Sequence, residues 1–482
     1  MRILIDIQGC QSDGSRFRGI GRYSRSLIKS LITNYPQNEY ILFANKLLFN
    51  VSSDFSDFLF NDDYKVTYLN WIAPGPFTDR YNKKGSRYSI AVQIRSFMIS
   101  QLNVDMILIS SFFEGFLDNS LVDLDSNQNL PPILTILYDL IPLLNRQKYL
   151  DPNPDFETYY LKKIDKLNQF DALLAISESA KKEVEEHLNI ESNKVFNILS
   201  ACDNYPFIKN INNQINTSLD LDQYGSFILY VGAGDPRKNL YRLLDAYSKL
   251  SPALIVKHKI VLAGKLLKDE IDLIQSRLFE LGIPPQYLIL LGYISDVELV
   301  NLYQKCHLFI FPSIHEGFGL PVLEAMTCGA AVIASNTSSI PEVIGFKDAT
   351  FNPFDTDEMA SLLEKALVDQ KFYEKLKCNA IKRRSLFSWE LTAEKTMRAI
   401  NNIYKKNKSN SKYIAEKKNR DLISFLASLK PSLEIYQKSF DDDNFIKEIA
   451  SSIDLNQQEI KDSNLIKYLS KDIKNWLIEG PF

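Results

Sequence analysis

Ser313-Ile-His-Glu-Gly-Phe-Gly-Leu-Pro-Val-Leu-Glu324 follows the apolar run Leu308 to Phe311 and leads into a helix-like segment. Pro321 suits a first helical turn, where the amide hydrogen it lacks would have had no helical partner. The order is strand, glycine loop, helix start. Gly317 and Gly319 let a ligand approach the backbone closely, and amide hydrogens at a helix start suit a phosphate or sugar hydroxyls. Glu316 stands in the loop and Glu324 about one turn into the helix. Both carboxylates are expected on one cleft at the carboxyl ends of the strands, where open α/β sheets bind ligands. A bare Gly-x-Gly beside two glutamates is more often a structural turn; the full segment is far more specific.

Outward from this unit the same rhythm fills the chain. Residues 3–7, 40–45, 66–69, 106–110, 133–139 and 172–176 are short apolar runs separated by amphipathic stretches, which predicts βαβ units around a parallel sheet. After the polar stretch 209–218 the rhythm restarts at 227–232, 260–264, 287–292, 308–311 and 331–335, a second domain of the same class. The expected division is 1–205, 206–404 and a helical extension over 405–482, with the linker near 205–225, where apolar periodicity lapses. The extension carries the acidic run Asp441 to Asp443, read as a solvated loop.

The chain of 482 residues exceeds what one core supports. With 45% hydrophobic residues, 24% charged and a net charge of -3 it has an ordinary globular composition and gives nucleic-acid binding no support. Five scattered cysteines, Cys10, Cys202, Cys306, Cys328 and Cys378, never at CxxC spacing, read as packing residues in a reducing compartment. The run Arg2 to Ile7 directly after Met1 is not a signal peptide, so the expected location is cytoplasmic.

A second constellation, Tyr230-Val-Gly-Ala-Gly-Asp-Pro-Arg-Lys-Asn-Leu240, closes the first strand of the second domain and puts Arg237 and Lys238 at a loop-to-helix junction. Such a pair is often only solvated, but it is also what a developing diphosphate charge requires. Leu291-Gly-Tyr-Ile-Ser-Asp-Val-Glu298 follows another strand and reads equally as an ordinary turn capped by Ser295 or Asp296. In the first domain Arg18-Gly-Ile-Gly-Arg-Tyr23 precedes an amphipathic helix. As G-x-G-x-x-G it fails at Ser24, and Asn45 stands where a ribose-binding acid would, so a dinucleotide is disfavoured. Ser111-Phe-Phe-Glu-Gly115 follows the run 106–110 and should open on the cleft, making Glu114 an acceptor-side candidate. Three Asp-x-Asp triplets, at 123–125, 220–222 and 355–357, sit badly for metal ligation, and the last suits a helix cap. No metal is expected.

The segment E-G-F-G-L-P-x-x-E resembles the E-x7-E motif of family-4 retaining glycosyltransferases, whose GT-B fold sets two Rossmann-like domains across a cleft. The resemblance spans roughly residues 1–400. It implies that Glu316 holds hydroxyls of the donor sugar, Glu324 the ribose, and Gly317, Phe318, Gly319 and Leu320 the sugar and diphosphate. It gives Arg237 and Lys238 the diphosphate, Gly292, Tyr293 and Ile294 the nucleobase, Gly21 the phosphates from across the cleft, and Arg22 beside it a place on the acceptor side. A further cation that some relatives carry is here Ala233. Thr135-Ile-Leu-Tyr-Asp-Leu-Ile-Pro142 matches a segment that usually reads His-Asp. Tyr138 takes the histidine position against the donor, while Asp139 keeps its place as a candidate catalytic group.

The wording G-D-P-R-K-N looks most like bacterial mannosyltransferases of O-antigen or capsule assembly. The expectation is a metal-independent retaining transferase, without a cofactor, that moves a hexose from a nucleoside diphosphate sugar, best GDP-mannose, to a hydroxyl of a growing surface polysaccharide or glycolipid. Association with the inner membrane face or a biosynthetic complex is left open. The terminal W-x-I-E-G-P-F resembles the opening of a further transferase unit, so a longer multidomain chain is expected. Two alternatives stand: another sugar-nucleotide enzyme on this fold, a phosphorylase or epimerase, and a donor-binding scaffold module weakened at Tyr138.

Overall fold

The computed structural model of the chain describes residues 1–73, 86–125, 130–202, 220–232 and 234–408. Seven parallel strands form the first sheet: β1 (Arg2–Asp6), β2 (Glu39–Asn45), β3 (Lys65–Trp71), β4 (Met106–Ile109), β5 (Ile133–Leu137), β6 (Ala172–Ala175) and β7 (Val195–Asn197), in the order β3-β2-β1-β4-β5-β6-β7. Six more form the second: β8 (Phe227–Val231), β9 (Lys259–Ala263), β10 (Leu288–Gly292), β11 (Leu308–Phe311), β12 (Val332–Ser335) and β13 (Thr350–Phe351), in the order β10-β9-β8-β11-β12-β13. These are the two Rossmann-like domains that the alternation implies.

The central strands are apolar and β-branched because helices cover both faces of each sheet, leaving no water-facing side to alternate towards. Leu4, Ile5, Leu108 and Leu174 in the first sheet and Ile228, Leu229, Leu262 and Ile310 in the second are all buried. Two strands were not expected from sequence, β7 and β13, three and two residues long. The run 133–139 stops being a strand at Leu137, so Tyr138 and Asp139 sit at its carboxyl end, in the loop.

The helix Gly19–Asn34 buries Leu27, Ile28 and Leu31, spaced for one face, each contributing about 1.5–3 kcal/mol of burial. The helix Trp389–Lys408 follows the second domain in sequence yet packs against Gly19–Asn34 and β6 of the first. Trp389 meets Tyr23 edge-on at 5.1 Å. The expected helical extension beyond Lys408, the acidic run Asp441 to Asp443, Ala233 and most of the expected linker lie outside the described residues.

Asp355 caps the helix Thr356–Val368 by accepting the amide hydrogens of Asp357 and Glu358, each at 3.0 Å, the role read for it from sequence. Among the described residues no helix is long and apolar enough to cross a membrane.

Candidate active site

The loop after β8 is built to present cations. Pro236–Lys238 makes a single turn whose start is capped by Asp235, which accepts from the Arg237 amide and from Arg237 Nε, both at 3.0 Å. Asn239 then takes a left-handed conformation, φ 61°, held by its buried side-chain amide donating to the carbonyls of Pro312 and Pro353 at 3.1 and 2.7 Å. This reversal starts the helix Leu240–Ser248 and leaves Arg237 and Lys238 facing the Ser313 segment. The Ile314 amide donates to the Arg237 carbonyl at 2.7 Å, tying the two loops together.

Glu316 lies between the two cations. Arg237 stands 2.8 Å from one carboxylate oxygen and Lys238 2.6 Å from the other, which also accepts from Ser313 Oγ at 2.5 Å. Burial alone would raise the Glu316 pKa. Lys238 and Arg237 outweigh it and bring it down to about 2, so the carboxylate is charged at neutral pH. Its backbone is pinned too: the Glu316 amide donates to Ser338 Oγ at 3.0 Å, and Ser339 Oγ donates to its carbonyl at 2.9 Å. Arg237, half-buried between Glu316 and Asp235, is held above its ordinary pKa by their charges despite the cost of burial.

Beyond Glu316 the chain turns through Gly319, whose φ of 95° favours glycine. The helix Leu320–Thr327 starts there without a side-chain cap. Phe318 packs inward, edge-on to Phe387 at 5.6 Å. Glu324 is buried one turn on and accepts from Tyr303 Oη at 3.2 Å. With Leu320, Arg22, Tyr23, Ala201, Cys202 and Trp389 it lines a small crevice between the domains. Gly292, with φ 69°, ends β10; Tyr293 beside it is largely exposed, and Ser295 caps the following helix in a reciprocal pair with Glu298.

The first domain closes over this surface. Ser177 Oγ donates to the Gly317 carbonyl at 2.6 Å. The Glu342 carboxylate accepts the amides of Glu178 and Ser179, at 2.9 and 3.1 Å, at the start of the first-domain helix Glu178–His187. His315 Nε2 lies 2.8 Å from Glu183, and Tyr149 Oη donates to Asp235 at 2.9 Å. Gly317 has no room for a side chain: a Cβ there would sit 2.6 Å from the Tyr138 carbonyl and 3.1 Å from Asp139 Oδ2.

The sequence-derived first-domain candidates divide. Asp139 lies at the seam, accepts from the Ile141 amide at 2.9 Å and has its pKa raised by burial, which the Ile141 amide and the Arg237 charge partly offset. Tyr138 turns its hydroxyl into its own domain, 2.8 Å from Ser24 Oγ, and donates to the Ser110 carbonyl at 3.0 Å. Gly21 is glycine because the Ser15 carbonyl and Arg16 Cα would meet a Cβ at 2.5 and 2.6 Å. Arg22, read as acceptor-side, reaches into the second domain instead, 2.8 Å from Asp296 and 3.6 Å from Glu324. Glu114 is buried, accepting from Ser15 Oγ and Ser111 Oγ at 2.5 and 2.8 Å, with its pKa raised by burial. It supports the loop Ser12–Arg18.

Ser177, Glu183, His315 and Glu342 had not been singled out. Their partners lie 132 to 164 residues away, and nothing local marks a residue that acts only across a cleft. Of the Asp-x-Asp carboxylates, Asp123 is buried on Lys163 and Lys166, at 2.8 and 2.7 Å. Among the described residues no group of three or more His, Cys, Asp or Glu side chains is arranged to hold a metal ion.

Chemically, the arrangement offers two fixed cations beside a buried, charged carboxylate, an uncapped helix start and a second carboxylate one turn on. Anions and hydroxyls at the same place are what it can hold.

Residues 213–383 match the family described as glycosyl transferases group 1. The chain is 37% identical over 402 residues to the serotype-specific mannosyltransferase WbdA of Escherichia coli, covering 82% of this chain and 47% of that protein. It is 30% identical over 237 residues to the O-antigen chain mannosyltransferase B of Escherichia coli, covering 49% of this chain and 61% of that one. The chain thus spans about half the length of the WbdA relatives it matches. Among solved structures, a sucrose-phosphate synthase from Thermosynechococcus elongatus superposes with a TM-score of 0.59 at 19% identity, over 84% of this chain and 100% of that one. At that identity the likeness establishes the shared two-domain GT-B fold.

Proposed function

We propose, on the premise that this chain is a glycosyltransferase whose residues 213–383 belong to group 1, that it transfers a mannosyl residue from a nucleoside diphosphate mannose to a hydroxyl of a growing polysaccharide. GDP-mannose is the donor we favour. The observation that carries the reading is the clasp of Glu316 between Arg237 and Lys238, with the mannosyltransferase relatives pointing to the sugar.

Arg237 and Lys238 would hold the diphosphate and stabilise the charge that develops as it leaves. Glu316 would accept from hydroxyls of the sugar, and Glu324 from the ribose. In the retaining course, the acceptor oxygen forms its bond to the anomeric carbon on the face from which the diphosphate departs. The anomeric carbon–phosphate oxygen bond breaks, and the acceptor proton passes to the leaving diphosphate. Asp139, close to Gly317 and not engaged by a cation at contact distance, would orient the acceptor hydroxyl. Contacts such as Ser177 to Gly317 close the cleft and exclude water. All five cysteines are free thiols, which fits a reducing compartment and action at the cytoplasmic face of the membrane.

Transfer assays with GDP-mannose, UDP-glucose and UDP-GlcNAc against a mannose oligosaccharide test the reading, with product configuration read by NMR. Transfer of mannose with retention, undiminished by EDTA, is expected. Release of sugar 1-phosphate without acceptor use, or an inverted product, would overturn it.

A further inference from the structure

The carboxyl edge of the first sheet carries an aromatic surface that the donor chemistry does not use. Phe17 is 76% exposed and Phe49 55% exposed, and the Arg16 guanidinium carbon lies 4.8 Å from the centroid of one ring and 4.5 Å from the other. Arg16 is also paired with Asp13 at 3.0 Å. Exposed rings on a loose loop would mean little, but these are mounted on a buried polar frame. Ser12 Oγ and the Asp13 amide donate to Asp118 at 2.6 and 2.9 Å, and Ser15 Oγ donates to Glu114 at 2.5 Å. On the other side Gln11 Nε2 donates to the carbonyls of Phe49 and Asn45, at 3.0 and 3.1 Å. Asn45 donates in turn to Gln8, which donates to Asp6, whose carboxylate is 2.5 Å from the fully buried Arg95.

The surface adjoins the donor loop. Phe17 is two residues from Gly19, where a Cβ would stand 4.0 Å from Leu320 Cδ1 of the second domain. From the cleft, the first domain therefore presents the Gly19 turn and then two exposed rings flanking the Arg16 guanidinium.

We propose that Phe17 and Phe49, spaced by Arg16, form a subsite for a pyranose unit of the acceptor glycan, beyond the sugar that receives the transfer. The proposal rests on the reading of the chain as a glycan-extending transferase. A pyranose has an apolar C–H face and a rim of hydroxyls; the rings take the first, and the Asp13 carboxylate and Arg16 guanidinium stand beside them for the second. A lipid surface fits less well, since the Arg16 charge is already shared with Asp13 and a carboxylate stands in the same patch.

Mannotetraose titrated into the chain and its Phe17→Ala, Phe49→Ala, Phe17→Trp and Phe49→Trp variants, followed by NMR, tests this. Each alanine variant is expected to weaken oligosaccharide binding about tenfold and the tryptophan variants to retain it. Thermal unfolding and GDP affinity should stay as in the parent chain, the rings being exposed and away from the cations. The subsite is overturned if mannotetraose does not bind the parent chain, if the alanine variants bind it equally well, or if tryptophan fails to preserve binding. It is also overturned if the alanine variants lose only binding to anionic phospholipid vesicles, or only self-association in sedimentation. The two readings fail separately. Mannosyl transfer insensitive to Phe17 and Phe49 removes the subsite alone, whereas ring-dependent oligosaccharide binding without transfer from any mannosyl donor removes the functional reading alone.

Discussion

Lys238 gives its ammonium group to Glu316 at 2.6 Å, so the cation read as a diphosphate contact and the carboxylate read as a sugar contact are already partners. Arg237 holds the other oxygen of the same carboxylate. Any anion arriving at this pair competes with Glu316.

Replacing Glu316 by Gln therefore has two opposite effects. Free nucleoside diphosphate should bind several-fold more tightly, because Arg237 and Lys238 lose an internal counter-ion. Transfer should fall by about two to three orders of magnitude, because the donor sugar loses its acceptor group. Calorimetry with GDP and a transfer assay separate the two; unchanged GDP affinity would remove the competition.

The double variant Arg237→Ala, Lys238→Ala should lose most nucleoside diphosphate affinity. It also leaves the Glu316 carboxylate buried with only Ser313 from its present clasp, which costs stability as well, about 3–5 kcal/mol for an unpaired buried charge. Adding Glu316→Gln to the double variant should recover thermal stability without recovering affinity. Recovery of both would show that the cations are not the diphosphate site.

Gly317→Ala should impair closure rather than nucleotide binding. Its Cβ would stand 2.6 Å from the Tyr138 carbonyl, a backbone atom of the other domain that cannot rotate away. The expected outcome is kcat lowered about tenfold or more with GDP affinity kept. Equal loss of GDP affinity would mean that the glycine serves the donor loop itself.

The contact between His315 and Glu183 gives closure a pH dependence. Burial works against the charged imidazole, and the Glu183 carboxylate outweighs it, so the His315 pKa is raised above 6.5. A raised pKa means that the stabilisation is fully present below the ordinary histidine range and is lost as pH rises through the value in the closed form. Small-angle scattering from about pH 6 to about pH 9 should show the domains separating at the alkaline end. Glu183→Gln should flatten the change, and an unaltered profile in that variant would assign the effect elsewhere.

Most of the fold was legible because parallel strands covered on both faces leave dense apolar runs, such as Ile133 to Leu137 and Phe227 to Val231. The strands that escaped, Val195–Asn197 and Thr350–Phe351, are too short to show a period. The meeting of the Glu316 loop with Arg237 and Lys238 was legible for a related reason: Glu316 and Glu324, like Arg237 and Lys238, each belong to one strand-loop-helix unit at the carboxyl ends of the second sheet. The seam was not. Ser177 reaches Gly317 and Glu342 reaches the Glu178 amide across more than 130 residues, and a serine or glutamate that does this looks like any other. Glu114 and Arg22 make the same point from the other direction. Their cleft-side positions follow from strand order, but what each side chain touches depends on Ser15, Ser111, Asp296 and Glu324, partners set by tertiary packing.

The helix Trp389–Lys408 has a mechanical meaning. The chain leaves the first domain between Cys202 and Asp220 and comes back to it at Trp389, so the two bodies are joined by two covalent crossings. A single tether would permit swivelling in every direction. Two attachments define a line, and rotation about that line is the motion they oppose least. Opening should thus resemble a door on two pins, with Trp389 against Tyr23 as one of them, and each swing returns Ser177 to Gly317.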